Sequence, residues 1–145
     1  MQQGGAALIE LDFINYPIVP VKFKYKDKKT PVIEALLDSG GDFIVIPMPI
    51  AQFLQMDLEP ACDVDTAGGT ASLFRANVDM IIGTKKGCTV YKDKEIFVSD
   101  REDIPVLLGR SPMFDDYEIT FRKQSNQLIL KPFTITVQDR YPPDF

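Results

Sequence analysis

The chain contains no histidine. That single absence excludes a Ser-His-Asp triad, a Cys-His pair, a histidine general base and any histidine-ligated metal. Tryptophan is also missing, which makes a sugar-stacking site slightly less expected. Cys62 and Cys88 are the only cysteines and do not form a CxxC pair. A zinc site is therefore not expected, and the two thiols read as free in a reducing compartment, with a disulfide between them the alternative. No apolar run approaches the roughly 18 residues needed to span a bilayer. The opening MQQGGAALIELDF has neither a basic segment nor a leader-like apolar stretch, so a cytoplasmic protein without a membrane partner is expected. Concentrated positive charge is lacking too. The net charge is -5, and the densest basic stretch, residues 22–29, is interrupted by Phe23, Tyr25 and Asp27. Nucleic acid is thus not the expected partner. Any enzyme here must work with carboxylates, Lys, Tyr, Ser or Cys, and no metal or cofactor is implied.

What is present is a succession of short apolar segments. The 145 residues suit one domain, with a core over about 8–131 and a C-terminal extension over 132–145 that is either dimer-forming or mobile. Val21, Phe23 and Tyr25 alternate with lysines, the period-two pattern of a half-buried strand. Residues 32–37 and 43–46 read as further strands. Residues 47–56 read as a short helix with a proline in its first turn and Ile50, Phe53 and Leu54 on one face. Residues 65–70 (DTAGGT) form a natural hairpin tip, followed by a strand over 73–82. Residues 89–91 and 95–98 are expected as two strands around a turn at 92–94. Residues 106–109 form a buried strand ending in glycine, 110–115 a short helix, and 118–122 with 127–131 a hairpin. Many short strands with one or two short helices predict an all-β domain, a closed or partly open barrel.

Asp38 is the sharpest chemical feature. It ends an apolar strand, Ile33-Glu34-Ala35-Leu36-Leu37, and begins the turn Asp38-Ser39-Gly40-Gly41. Taken locally, an Asp before glycine has two readings, a turn cap and a carboxylate placed for chemistry.

The wider pattern favours chemistry. The segment ALLDSGGDFIVIP resembles the active-site motif of retroviral-type (retropepsin-like) aspartic proteases, with Asp38, Ser39 and Gly40 on the catalytic triplet and Gly41 where the family usually has alanine. Val106-Leu107-Leu108-Gly109-Arg110 resembles the family's second apolar-apolar-Gly strand and the helix start after it. Ala67, Gly68 and Gly69 lie between the two motifs, as the flap does in those enzymes. The resemblance covers roughly residues 21–131 and implies an acid-protease barrel.

It also implies roles. Asp38 would act with its symmetry mate in a homodimer, because one chain carries one motif. The two carboxylates would share a proton and activate water against a peptide carbonyl, with no acyl-enzyme. Ser39 and Gly40 would shape the catalytic loop. Gly41, Ala67, Gly68, Gly69 and Leu107 would contact an extended peptide or protein substrate. Leu108, Gly109 and Arg110 would support the loop, Arg110 by pairing with Asp42. Ile44, Ile46 and Leu73 are further candidates to line the cleft, and equally candidates for plain core. Two other readings remain: a retropepsin-like module that binds or dimerises without catalysis, and an unrelated β-barrel binding protein.

Overall fold

The computed structural model describes residues 7–12, 16–66 and 69–145. In chain order the elements are β1 (Ile9–Asp12), β2 (Ile18–Tyr25), β3 (Lys28–Lys29), β4 (Ile33–Leu37), β5 (Ile44–Pro47), α1 (Met48–Leu54), β6 (Glu59–Thr66), β7 (Gly69–Thr84), β8 (Gly87–Ser99), β9 (Val106–Leu108), α2 (Arg110–Asp116), β10 (Tyr117–Arg122) and β11 (Gln127–Pro132). The expected class is therefore found, a β-barrel with two short helices.

Closure comes from β2. Its first half pairs with β4, from Ile18↔Leu36 to Val21↔Ile33, and its second half pairs with β7, from Val21↔Ile82 to Lys24↔Asp79. The ring runs β2-β4-β9-β5-β8-β7 and back to β2, with β3 and β6 outside it. The alternation in β2 explains its place: Val19, Val21 and Phe23 are fully buried while Pro20, Lys22 and Lys24 take the outer, half-buried positions. Ala35, Leu37, Ile44, Ile46, Val98 and Leu108 fill the same core from the other strands. A second sheet, β1-β11-β10, brings Ile9 opposite Leu130 and Ile119 opposite the same residue.

Two expectations change. The turn predicted at 92–94 does not exist; β8 runs unbroken through it. The polar triplet is a bulge opposite Asp79, with Val78 paired to Lys94 and Met80 to Tyr91. Asp93 takes a left-handed φ of 52°, and its N–H donates to Asp79 Oδ1 at 2.8 Å. In α1 the buried residues are Ala51 and Leu54, whereas Phe53 is 57% exposed. Seven residues make only two turns, so the buried stripe is narrow and i, i+3 spacing selects it. Separately, residues 133–145 lie along the barrel of the single chain. Cys88 and Gln138 exchange backbone hydrogen bonds of 2.9 and 2.7 Å, Phe145 is buried against Ile81 and Cys88, and Lys22 Nζ donates to the Phe145 carbonyl at 2.7 Å. The loose segment expected at 1–7 lies almost wholly outside the described residues.

Candidate active site

The loop at 38–43 is fixed by its neighbour β9. Strand β4 ends at Leu37, whose N–H donates to the Pro17 carbonyl at 2.9 Å. The next amide, Asp38 N–H, donates to the Leu108 carbonyl at 2.9 Å. One residue further along β9's exit, Gly109 N–H donates to the Phe43 carbonyl at 3.1 Å. Arg110 N–H then reaches the Gly41 carbonyl and Ser111 N–H the Asp42 carbonyl, both at 2.9 Å. Both ends of the loop thus hang from the same strip of chain, Leu108 to Ser111.

Gly109 makes that approach possible. A Cβ built on it would stand 2.4 Å from the Phe43 carbonyl oxygen and 2.6 Å from the Phe43 nitrogen. Those contacts are with backbone, which has no side chain to swing away. Here a glycine serves close approach, not an unusual φ.

Within the loop, Asp38 is half-buried and Ser39 and Gly40 are exposed. Gly40 N–H donates to Asp38 Oδ1 at 3.0 Å, and Gly41 N–H donates to the Asp38 carbonyl at 3.2 Å. One carboxylate oxygen is thereby oriented by the turn. The other, Oδ2, lies on the Gly41 side, where an added Cβ would approach it to 3.1 Å. Glycine at 41 leaves more room beside Oδ2 than alanine would. Asp42 forms an ion pair with Arg110, as the motif reading expected, with both side chains more than half exposed in the single chain.

A row of side chains leads away from this loop. Leu36 is in register with Leu107, Leu107 with Val45, Val45 with Phe97, and Phe97 with Arg75. Lateral partners share a face of a sheet. All five are partly exposed, while Leu37, Leu108, Ile44, Ile46, Val98 and Ala76 on the opposite face are buried. The row is thus the barrel's outer surface, and Leu107 is the member named from sequence. Ile44 and Ile46 belong to the core and line nothing. Val45 and Phe97 were missed. Residues 43–46 are apolar throughout, so their pattern gives no sign of which face is which.

The β6-β7 hairpin extends the same surface. Cys62, Val64, Ala71 and Leu73 continue the face of Arg75, while Asp63, Asp65, Thr70 and Ser72 occupy the other side. Ser72 Oγ donates to Asp63 Oδ1 at 2.8 Å, and Thr70 Oγ1 to Asp65 Oδ1 at 3.3 Å. Beyond the Arg75–Glu59 ion pair, the hairpin therefore continues the row with apolar groups and carries the Ser72–Asp63 and Thr70–Asp65 contacts on its back. Its register closes at Thr66↔Gly69, and Gly69 has a φ of +114°, which favours glycine. Ala67 and Gly68 lie outside the described residues. A separate hollow of about 890 Å³, lined by Glu10, Tyr16, Ile18, Val32, Lys85 and Tyr141 among others, contains none of these site residues.

No family model matches the sequence, and no curated protein matches it. Solved structures do. A retropepsin-like aspartic protease from Rickettsia conorii superposes with a TM-score of 0.61 at 18% identity, over 87% of this chain and all of that one. The retroviral protease-like domain of Ddi1 from Leishmania major gives 0.55 at 11% identity, over 86% of this chain and 95% of that one. The EIAV protease bound to the inhibitor HBY-793 gives 0.51 at 20% identity, over 70% and 88%. At these identities the likeness is one of architecture, and the chain has the retropepsin-like aspartic protease fold.

Proposed function

We propose that the chain binds extended peptide segments across the apolar row beneath the β6-β7 hairpin. We further propose that, as a homodimer pairing two copies of Asp38, it hydrolyses them as an aspartic endopeptidase. The observation that supports this reading is the loop itself. Asp38 stands at the end of a core strand, one carboxylate oxygen held by Gly40 N–H, beside an apolar surface that side chains of a substrate can occupy.

In the proposed reaction the two Asp38 carboxylates meet across the twofold axis. Like charges that close share one proton. The ionised member takes a proton from water as the water oxygen bonds to the peptide carbonyl carbon. The protonated member donates to the carbonyl oxygen. The tetrahedral intermediate collapses as the C–N bond breaks, and the nitrogen leaves with a proton from the pair. The Arg110–Asp42 ion pair, the Gly109 contact and the β9 hydrogen bonds hold the loop so that Oδ2 is aimed while Oδ1 is fixed. In such a dimer Ser39, exposed beside the carboxylate, would face the partner's loop.

A second reading is a non-catalytic retropepsin-like peptide-binding or dimerisation module. One chain holds the apolar row and the described part of the hairpin face but only one carboxylate of this kind, so binding needs less than hydrolysis does. Cleavage of unstructured peptides across about pH 3 to 7 separates the two. Cleavage by the native protein that is lost in Asp38→Asn, with fold and dimer mass retained, is the expected result. A folded dimer that binds peptides and cleaves none would leave only the binding module.

A further inference from the structure

Two aromatic rings stand midway along the row. Phe43 is 51% exposed although it immediately follows Asp42 in the loop. Its ring centroid lies 5.3 Å from that of Phe97, with the ring planes at 44°. Its backbone is pinned by Gly109, so the ring cannot retreat into the core without breaking that contact. Beyond Phe97 the row ends at Arg75, whose guanidinium is held 3.6 Å from Glu95 and 3.9 Å from Glu59. Arg75 closes the row with a charge already paired.

We propose that Phe43 and Phe97 form a shelf that selects an aromatic side chain in the bound peptide, at a position set apart from the bond cut at Asp38. This rests on the reading that a peptide lies along the row. Asp38 leaves β4 and Phe43 enters β5, with β9 between them. Two strand spacings are about 10 Å, or roughly three residues of extended peptide. The selected residue therefore does not adjoin the cut. Nearer Asp38 the row offers Leu36 on β4 and Leu107 on β9, which favour aliphatic groups. A tilted pair of rings leaves an edge and a face for a third ring. Such contacts add a factor of about two to ten over area alone, which an aliphatic side chain does not gain.

The test has two arms. In the first, a randomised peptide library is cleaved by the native protein. In the second, end-labelled peptides that differ only in Phe, Leu or Ala at one scanned position are bound to Asp38→Asn protein and followed by fluorescence anisotropy. We expect one position, not adjoining the cut, to favour Phe over Leu by up to about tenfold. In Phe43→Leu and Phe97→Leu, which keep apolar bulk, that preference shrinks to within about twofold while thermal stability is held. Equal affinity for Phe and Leu at every position overturns the shelf, as does a preference that survives both variants. If the variants instead lower the dimer mass, the rings pack against a second copy and the shelf is again overturned. Cleavage without an aromatic preference rejects the shelf and keeps the endopeptidase. A Phe preference in binding with no cleavage does the reverse.

Discussion

Replacing Gly109 by alanine tests how the loop is held. The added methyl would stand 2.4 Å from the Phe43 carbonyl oxygen, 2.6 Å from the Phe43 nitrogen and 2.9 Å from the Asp42 carbonyl carbon. Ordinary contact requires about an ångström more, so β9's exit and the loop must separate. Forced overpacking of this kind costs about 1–3 kcal/mol. Separation also weakens the Gly109–Phe43 and Arg110–Gly41 backbone hydrogen bonds, each contributing about 0.5–1.5 kcal/mol. The expected loss is about 2–5 kcal/mol, a large share of the 5–15 kcal/mol typical of a domain. At about 2–4 °C per kcal/mol the melting temperature should fall by roughly 5–20 °C. Gly40→Ala is the internal comparison, because its nearest neighbour is Asp38 Oδ1 at 3.4 Å and its backbone requires no left-handed angle. Urea and thermal melts of both variants read the difference. A Gly109→Ala protein as stable as Gly40→Ala would refute the account of the loop as a clamped strip.

Four other outcomes follow from named contacts. Arg110→Ala, Asp42→Ala and their double variant should show a coupling below about 1 kcal/mol in the isolated chain, because both groups are largely exposed; a double-mutant cycle on urea melts measures it. Burial, reinforced by Tyr117 and the Asp116 carboxylate, holds the Tyr91 hydroxyl well above its ordinary pKa, and Tyr117 is raised chiefly by burial. The unfolded chain therefore loses these protons near pH 10 while the native state keeps them, so stability should fall as pH climbs past about 10. Tyr91→Phe should fall less steeply in urea melts between about pH 8 and 11, and an unchanged slope would contradict the assignment. Thiol titration should find Cys62 reacting at once and Cys88 slowly, since Cys88 is buried and its thiol is pushed up by burial. Phe145→Ala, costing about 3 kcal/mol at a buried ring, should speed Cys88 labelling by up to about a hundredfold. Equal rates in the native protein would show that the tail does not cover it.

The residues around Asp38 were legible because their chemistry is local. A strand that ends in Asp-Ser-Gly-Gly announces a turn, and Leu107-Leu108-Gly109 announces a buried strand stopped by a glycine. Alternation in β2 placed Val21 and Phe23 inside correctly. The Asp42–Arg110 pairing came from the motif pattern and appears in the structure. What sequence could not show was facing. Residues 43–46 are uniformly apolar, so Ile44 and Ile46 were indistinguishable from Val45 until β8 and β9 supplied partners. The break expected at 92–94 failed for a related reason. Lys-Asp-Lys looks like a turn, yet the Asp79 carboxylate across the ladder accepts the Asp93 N–H and converts it to a bulge. The docking of 133–145 depends on Cys88, Ile81 and Lys22, which no local pattern connects to it.

Suspending the loop from β9 also sets an order of assembly. Asp38 leaves β4 early in the chain, but the strip that holds it is far downstream, and β1 waits longer still for β11. Contacts between such distant segments form slowly, because loop closure must precede any gain from pairing. A chain emerging N-terminus first would thus display Asp38 well before anything can aim it. If the proposed hydrolysis is correct, the partly made protein has no means of cutting itself or its neighbours, and competence arrives only with the last third of the sequence.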